Sequence, residues 1–514
     1  MKWISRAEQM READRYAAEE LHIPGLLLME AAARSVADWL LQCCDRGQRV
    51  LILCGAGNNG GDGFAIARML KIQGLSVQVL LGGRPESLKG DARINYALLE
   101  AYQVPVVQQE QVGQAAELVR RSDWIVDAIF GTGLDREVQG FWAQMIAAVN
   151  RAHQEEAVKV LAVDIPSGVQ SDTGAVLGCA VEADETITFC RLKPGLLLFP
   201  GKEHAGRVQV AEIGMPETVP ALGEASAFVL EASDVKGLLP KRVSRSHKGT
   251  YGRLFMIAGS RSMTGAAILS GRAAYKMGVG LVDAAIPKEA ASVLQVSLPE
   301  AITTPYDKEE LPFAGLDQAS AVLAGPGLGQ QEYVGRFLKG MLERLSQQVP
   351  LVLDADALNW LAREEELKAL LLRRSVRENT ILTPHMGEAA RLLQCSVQEV
   401  MRCPQEAICR LQEQYRSVIV LKDAVTLVQG AEGKVFYNTT GNPGMSTAGS
   451  GDVLAGMIAG LCAQGVSTFK AAYTGVYLHG LAGDLAREAH GVYGMTASDI
   501  AAQIDLEKMI ANRL

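Results

Sequence analysis

The chain has 514 residues, 48% hydrophobic and 21% charged, the composition of an ordinary globular enzyme and too long for one core, so two or more domains are expected. Its net charge of −8 and pI near 5.6 argue against nucleic acid or an anionic membrane as a partner. No run approaches the ~18 apolar residues of a membrane span, and the start, Met1 to Glu8, has no apolar signal core, so a cytoplasmic protein is expected.

Nine cysteines without a CxxC pair read as reduced thiols, and seven histidines show no ligand spacing. Residues 5–42 read as two helices broken at His22-Ile23-Pro24-Gly25. The second carries an apolar face of Leu27, Leu28, Met29, Ala32 and Val36. A strand, Arg49–Cys54, runs into Gly55-Ala56-Gly57-Asn58-Asn59-Gly60-Gly61-Asp62-Gly63, with a helix expected from Phe64. Gly55, Gly57 and Gly60 satisfy GxGxxG, but the acid expected about 20 residues later is missing, because Gly82-Gly83-Arg84 follows the next apolar run. That excludes an ordinary nicotinamide dehydrogenase fingerprint and leaves either a phosphate-binding turn or a structural one.

Two further strands end in acids. Asp123–Asp127 leads into Phe130-Gly131-Thr132-Gly133-Leu134, and Val160–Asp164 leads into Ile165-Pro166-Ser167-Gly168. In a doubly wound sheet the carboxyl ends of strands line one crevice, so Asp62, Asp127 and Asp164 should converge there. A final strand, Thr186–Phe189, precedes Lys193, which is either a solvated turn residue or a charge facing the crevice.

These loops resemble the signature loops of the NAD(P)H-hydrate epimerases over roughly the first 215 residues. The resemblance implies a Rossmann-like doubly wound sheet. It implies contacts to hydrated NADH or NADPH from Asn58, Asn59, Gly60, Gly61 and Asp62, from Gly131, Thr132, Gly133, Leu134, Asp135, Arg136 and Glu137, and from Asp164. Asp164 is expected to be catalytic with Lys193, and K+ is expected on Asn59, Asp127 and Ser167. Met29-Glu30-Ala31-Ala32-Ala33 stands where that family usually has Met-Glu-Asn-Ala-Gly.

Residues 216–233 lose periodicity among prolines, glycines and small residues and read as a linker between domains at 1–215 and 234–514. The basic run Lys241–Gly249 reads as a solvated face or a ligand contact. Six apolar strands then alternate with helices: Leu254–Ile257, Val282–Ile286, Ala321–Ala324, Leu351–Leu353, Thr380–Thr383 and Val418–Leu421. This pattern means a mostly parallel sheet covered on both faces. Five strand exits hold Gly259, Gly325 to Gly329, Asp354 to Asp356, Thr383 to Glu388 and Lys422 to Thr426, outlining one cleft. Last comes Gly441-Asn442-Pro443-Gly444, then Gly449-Ser450-Gly451-Asp452 before apolar residues at helical spacing. The amides of that helix start favour a phosphate. Asp452 is then either a helix-start acid or the base of a phosphoryl transfer.

That order resembles the ribokinase-like superfamily and, within it, the ADP-dependent NAD(P)H-hydrate dehydratases over roughly residues 225–514. The resemblance implies substrate contacts from Ala266, Gly327, His385 and Asp452. Nucleotide contacts are implied from Lys422, Asp423, Ala424, Val425, Thr426 and Gly451, with ADP as co-substrate and Mg2+ at the site. Asp423 replaces the family's usual glycine and adds a negative charge near the nucleotide. Asp452 would accept the proton of the substrate's ring hydroxyl as it attacks the terminal phosphate. With an ordinary pKa near 3.9 it would be ionised at pH 7 but a weak base. A homo-oligomer is expected. The rival readings are a ribokinase-like vitamin or sugar kinase, and an N-terminal half that only binds ligand.

Overall fold

The computed structural model describes residues 1–108, 112–156, 158–223, 226–310, 312–374 and 379–511. Residues 2–226 form one compact unit and residues 227–514 another.

In the first unit α1 (Ala7–Glu19) and α2 (Gly25–Cys43) precede a wholly parallel sheet. Its strands are β1 (Arg49–Cys54), β2 (Ser76–Leu81), β3 (Val106–Gln108), β4 (Trp124–Ala128), β5 (Lys159–Val163), β6 (Glu185–Phe189) and β7 (Arg207–Ala211), in the order β3-β2-β1-β4-β5-β6-β7. Residues 50–54 of β1 are buried on both faces, the condition of a central parallel strand. On α2, Leu28, Met29, Ala32 and Val36 are buried, but Leu27 lies outside the face expected of it and is 60% exposed. Strand order reverses between β1 and β4, and ligands of such sheets bind outside the carboxyl ends of the strands at that point.

Three features differ from the sequence expectation. Helix α3 (Asn58–Ile72) begins six residues before Phe64, because the glycines of the loop form its first turn. Strand β7 extends the sheet beyond the strand expected to be last; it is half-buried, so its apolar signal is thin. Within the expected linker, Val219, Ala221 and Leu222 belong to the first unit's core, and Ala227–Val229 is a strand of the second unit. Residues 224–225 of that stretch lie outside those described.

The second unit's strands are β8 (Ala227–Val229), β9 (Arg253–Ile257), β10 (Leu281–Pro287), β11 (Ile302–Tyr306), β12 (Ala321–Ala324), β13 (Leu351–Leu353), β14 (Thr380–Leu382), β15 (Val418–Leu421), β16 (Leu427–Gln429) and β17 (Val435–Tyr437). They run β8-β17-β16-β15-β14-β13-β12-β9-β10-β11. Strands β15-β16-β17 pair antiparallel and the rest parallel. All six expected strands are present. The hairpin β16–β17 and strands β8 and β11 were not anticipated, since three of these four are too short for a period to register. The order reverses between β9 and β12.

Helices α4 (Thr264–Lys276) and α5 (Ser450–Ala463) pack almost backbone to backbone, which is why glycines punctuate α5. A Cβ on Gly456 would stand 2.1 Å from the Ser270 carbonyl oxygen. Neither backbone can yield without opening the pair, so Gly456→Ala is expected to destabilise this unit by about 2–3 kcal/mol. An unchanged melting transition for the unit would refute that packing argument.

Candidate active sites

In the first unit, the exits of β1, β4, β5 and β6 share one edge of the sheet. A Cβ on Gly60 would lie 1.9 Å from the Gly55 carbonyl oxygen, so only glycine lets the loop fold onto itself before α3. Asp127 is fully buried. Its Oδ2 accepts from Ser167 N at 2.7 Å, and its Oδ1 accepts from Ser167 Oγ at 2.6 Å. Ser167 Oγ also accepts from Phe130 N at 2.8 Å, tying the β4 and β5 loops together. Asn59 touches the Gly131 loop, where an added Cβ would come within 3.4 Å of its own Cβ. The Asn59 Nδ2 is buried without a partner. Burial, only partly offset by hydrogen bonds from Ser167 and Ile129, pushes Asp127 up to about 6.

The second cluster centres on Asp164, a non-glycine residue held at φ 67. Its Oδ1 receives Lys193 Nζ at 2.5 Å, Thr188 Oγ1 at 3.0 Å and the Phe189 amide at 3.1 Å. Lys193 is 1% exposed, so the solvated reading is wrong. Its ammonium also donates to Thr188 Oγ1 and the Phe189 carbonyl, each at 2.9 Å. All three N–H donors are thereby committed, which makes it a group that holds Asp164 in place.

Asp14 of α1 faces the same cluster and was missed from sequence. Its only signal was a charge at 14 on a helical stripe whose other members, Met10, Ala13 and Ala17, are buried. The Ser5 amide bonds the Leu192 carbonyl at 2.9 Å, which holds the start of α1 beside the Lys193 loop. The residue keeps an exposed side. Even so, loss of water around the carboxyl, opposed by Lys193 and reinforced by Asp164, pushes it up to about 6. Of the loop expected to touch substrate, Gly133, Asp135, Arg136, Glu137 and also Asn58 are exposed, with Gly131 and Thr132 half-buried. Leu134 packs into the core instead.

In the second unit, β9, β12, β13, β14 and β15 bring the five expected exits to one edge. At the reversal point Gly259 N donates to the Pro326 carbonyl at 2.7 Å, and a Cβ on Gly327 would meet Ala266 Cβ at 2.8 Å. Gly449 caps α5 at φ 91, in the left-handed region that glycine tolerates. Ser270 Oγ donates to the Asp452 carbonyl at 2.9 Å, fixing the first turn of α5 against α4.

Lys422 crosses this cleft. Its ammonium donates to Asp354 Oδ1 at 2.7 Å, and Thr383 Oγ1 donates to the same oxygen at 2.7 Å. A Cβ on Gly451 would lie 3.4 Å from that ammonium, so a cation stands against the amide-rich start of α5. Burial works against the charge, but Asp354, Glu388 and Asp452 outweigh it and raise Lys422 above its usual value. Asp452 is pushed up to about 7 by burial and by Asp354 and Asp356, with Lys422 opposing. That lies well above the ordinary carboxylate value expected from the sequence.

His385 Nδ1 accepts the amides of Gly387 at 2.9 Å and Glu388 at 3.3 Å, leaving Nε2 to carry the proton of a neutral ring. Burial first, then Lys422 and Arg391, lower its pKa. Glu388 is pushed up to about 7, by burial foremost. Asp423 and Ala424 are exposed and Thr426 half-buried, with Thr426 Oγ1 donating to the Asp423 carbonyl at 3.3 Å. Val425 is 5% exposed, so its side chain belongs to the core and only its backbone is left for a ligand. The basic run 241–249 is exposed throughout, with the Arg242 guanidinium stacked 3.7 Å from the centre of the Tyr251 ring.

A family model described as NAD(P)H-hydrate dehydratase matches residues 254–506, and one described as YjeF-related protein N-terminus matches residues 25–195. The chain is 38% identical to the bifunctional NAD(P)H-hydrate repair enzyme of Moorella thermoacetica, over 97% of this chain and 95% of that protein. It belongs to the bifunctional NAD(P)H-hydrate repair enzymes. The relative of that name in Escherichia coli K12 is 35% identical over 96% of this chain and 92% of its own length. A ribokinase-like superfamily protein from Enterococcus faecalis superposes with a TM-score of 0.50 and 30% identity, covering 55% of this chain and 96% of that one. Both crevices therefore lie in an enzyme of the NAD(P)H-hydrate repair family, one in each unit.

Proposed function

We propose that the N-terminal site interconverts the R and S forms of hydrated NADH and NADPH, and that the C-terminal site dehydrates the S form with ADP, giving AMP and phosphate. The observation that carries the reading is the opening of α5, where Asp452 lies beside the Lys422 ammonium and the free amides of the helix. There the amides and Lys422 hold the nucleotide's terminal phosphate. Asp452 takes the proton of the ring hydroxyl as it attacks, and loss of phosphate restores the ring double bond. A kinase would use the same base and anion hole but leave a stable phosphoester. Full-length kinship with the repair enzymes favours elimination. Incubating the chain with hydrated NADH and ADP, or ATP in its place, should return the absorbance of the reduced nicotinamide and release inorganic phosphate. A stable phosphorylated product would instead support the kinase.

A cytoplasmic setting and a homo-oligomer complete the proposal. Ala266, Gly327 and His385 would contact the substrate; Lys422 to Thr426 and Gly451 would contact the nucleotide. The first-unit residues set out above would contact the hydrated dinucleotide.

The residues present fit both expected cations. Asp127 is a buried carboxyl hydrogen-bonded by Ser167 and backbone amides, and Asn59, packed on the Gly131 loop, has a buried side-chain amide without a protein partner on its nitrogen. One carboxylate with neutral oxygens from Asn59 and Ser167 suits K+, which would supply counter-charge and fix those loops. In the C-terminal cleft Mg2+ would be carried chiefly by the nucleotide's own phosphates, held there by the α5 amides and Lys422, and the ion would neutralise phosphate charge.

The free-enzyme pH profile is a direct consequence. With Asp452 at about 7, dehydratase kcat/KM is expected to be flat above pH 8 and to fall about tenfold per pH unit below 7. Glu388 titrates in the same range, so Glu388→Gln is the control. A rate constant unchanged down to pH 5 would exclude Asp452 as the base.

A further inference from the structure

The first-unit crevice contains two carboxyls in opposite situations. Asp164 has three donors on one oxygen, the surroundings of an ionised acceptor. Asp62, in the first turns of α3, is 9% exposed, and its carboxyl makes no hydrogen bond or ion pair to any described residue. The ionisable groups near enough to act on it through charge are Asp164 from the β5 exit, Asp14 from α1 and the Cys54 thiol at the end of β1, with Lys193 bonded to Asp164. No cation is therefore directed at Asp62 itself.

We infer that Asp62 is the general acid of the epimerisation and Asp164 its paired base. This rests on the epimerase reading given above. Burial, then the charges of Asp164 and Asp14, push Asp62 well above the usual carboxylate range, so it holds a proton where Asp164 is built to receive one.

The chemistry balances without any added reagent. Hydration of an enamine double bond places the hydroxyl on the carbon next to the ring nitrogen. As the nitrogen lone pair forms a C=N bond, the C–O bond breaks and Asp62 donates its proton to the departing oxygen, which leaves as water. A water on the other face then attacks that carbon, its proton passes to Asp164, and the C=N electrons return to nitrogen. One water leaves and one enters. Proton exchange from Asp164 back to Asp62 resets the pair, and the reverse reaction uses the groups in exchanged roles. Asp14 keeps negative charge near Asp62 and so favours its protonated form.

The test uses the full chain and the separated epimers of hydrated NADH, with interconversion followed by chiral chromatography and corrected for the spontaneous rate. Asp62→Asn is expected to lower epimerisation kcat by ~10²–10⁴-fold with KM changed less than threefold, as for loss of an acid that acts in the transition state. Asp62→Glu, which keeps a carboxyl, should recover part of that turnover. Dehydration of the S epimer should continue in both variants, and an unchanged melting transition of the N-terminal unit should show that this unit is folded. A raised KM with kcat retained in Asp62→Asn would make Asp62 a binding group and overturn the inference, as would an Asp62→Glu variant no better than Asn. Absence of epimerisation in the unsubstituted chain would instead refute the epimerase reading itself.

Discussion

Asp452→Asn is expected to remove ~3–5 kcal/mol of transition-state stabilisation from dehydration, a ~10²–10⁴-fold loss of turnover, while the fold persists. The amide keeps the shape of the carboxyl and its place at the start of α5 but cannot accept a proton. The same change should stabilise the C-terminal unit at alkaline pH. Asp452 has a folded-state pKa of about 7 against roughly 3.9 when unfolded. The folded state thus holds the proton more tightly, and stability from this group is present at acid pH and lost as pH rises from about 4 through about 7. Asn does not titrate, so the variant should exceed the parent by ~1–2 kcal/mol at pH 8, the discount reflecting solvent screening. Denaturant melts at pH 5 and pH 8 beside steady-state rates would check both halves. Near-parental turnover would remove Asp452 from the mechanism; equal stability at pH 8 would mean that the carboxyl is less confined than it looks.

Lys193→Met is expected to be the most damaging single change in the N-terminal unit. The ammonium is 1% exposed and bonded to Asp164, Thr188 and the Phe189 carbonyl, so its removal strands a carboxylate among orphaned acceptors. Breaking a buried pair by deleting one partner costs about 3–5 kcal/mol. Epimerisation should fall by at least ~10²-fold, because Asp164 loses the contact that sets its position. Dehydration of the S epimer should survive. Arginine is not a conservative rescue, since a planar guanidinium cannot direct three donors as an ammonium does. Melting of the N-terminal unit together with chirally resolved epimerase rates is the measurement. A variant that melts like the parent and still epimerises would show that Asp164 needs no anchor.

Much of the architecture could be read without coordinates. Central parallel strands are buried on both faces, so Val50 to Leu53 and Val418 to Leu421 announce themselves as continuous apolar runs. Edges carry no such pressure. The half-buried β7 and the three-residue β8, β16 and β17 left too little pattern to register. The glycine-rich loops were visible as chemistry because close backbone approach excludes side chains. Their helical first turn at Asn58 was not, since glycine opposes helix by propensity and only packing overrides it.

Sequence by itself determined which residues stand at strand exits, because parallel strands with helical crossovers send those exits to one edge whatever the detailed packing. It determined the glycine and acid order at Gly449 to Asp452 for the same local reason. Proton affinities and the company each acid keeps were decided only by tertiary structure. Asp452 rises to about 7 through burial among Asp354 and Asp356, and Asp14 reaches the Asp164 cluster from a helix 150 residues away in the chain. Desolvation and Coulomb interaction depend on distances through space, and no spacing along the chain encodes them.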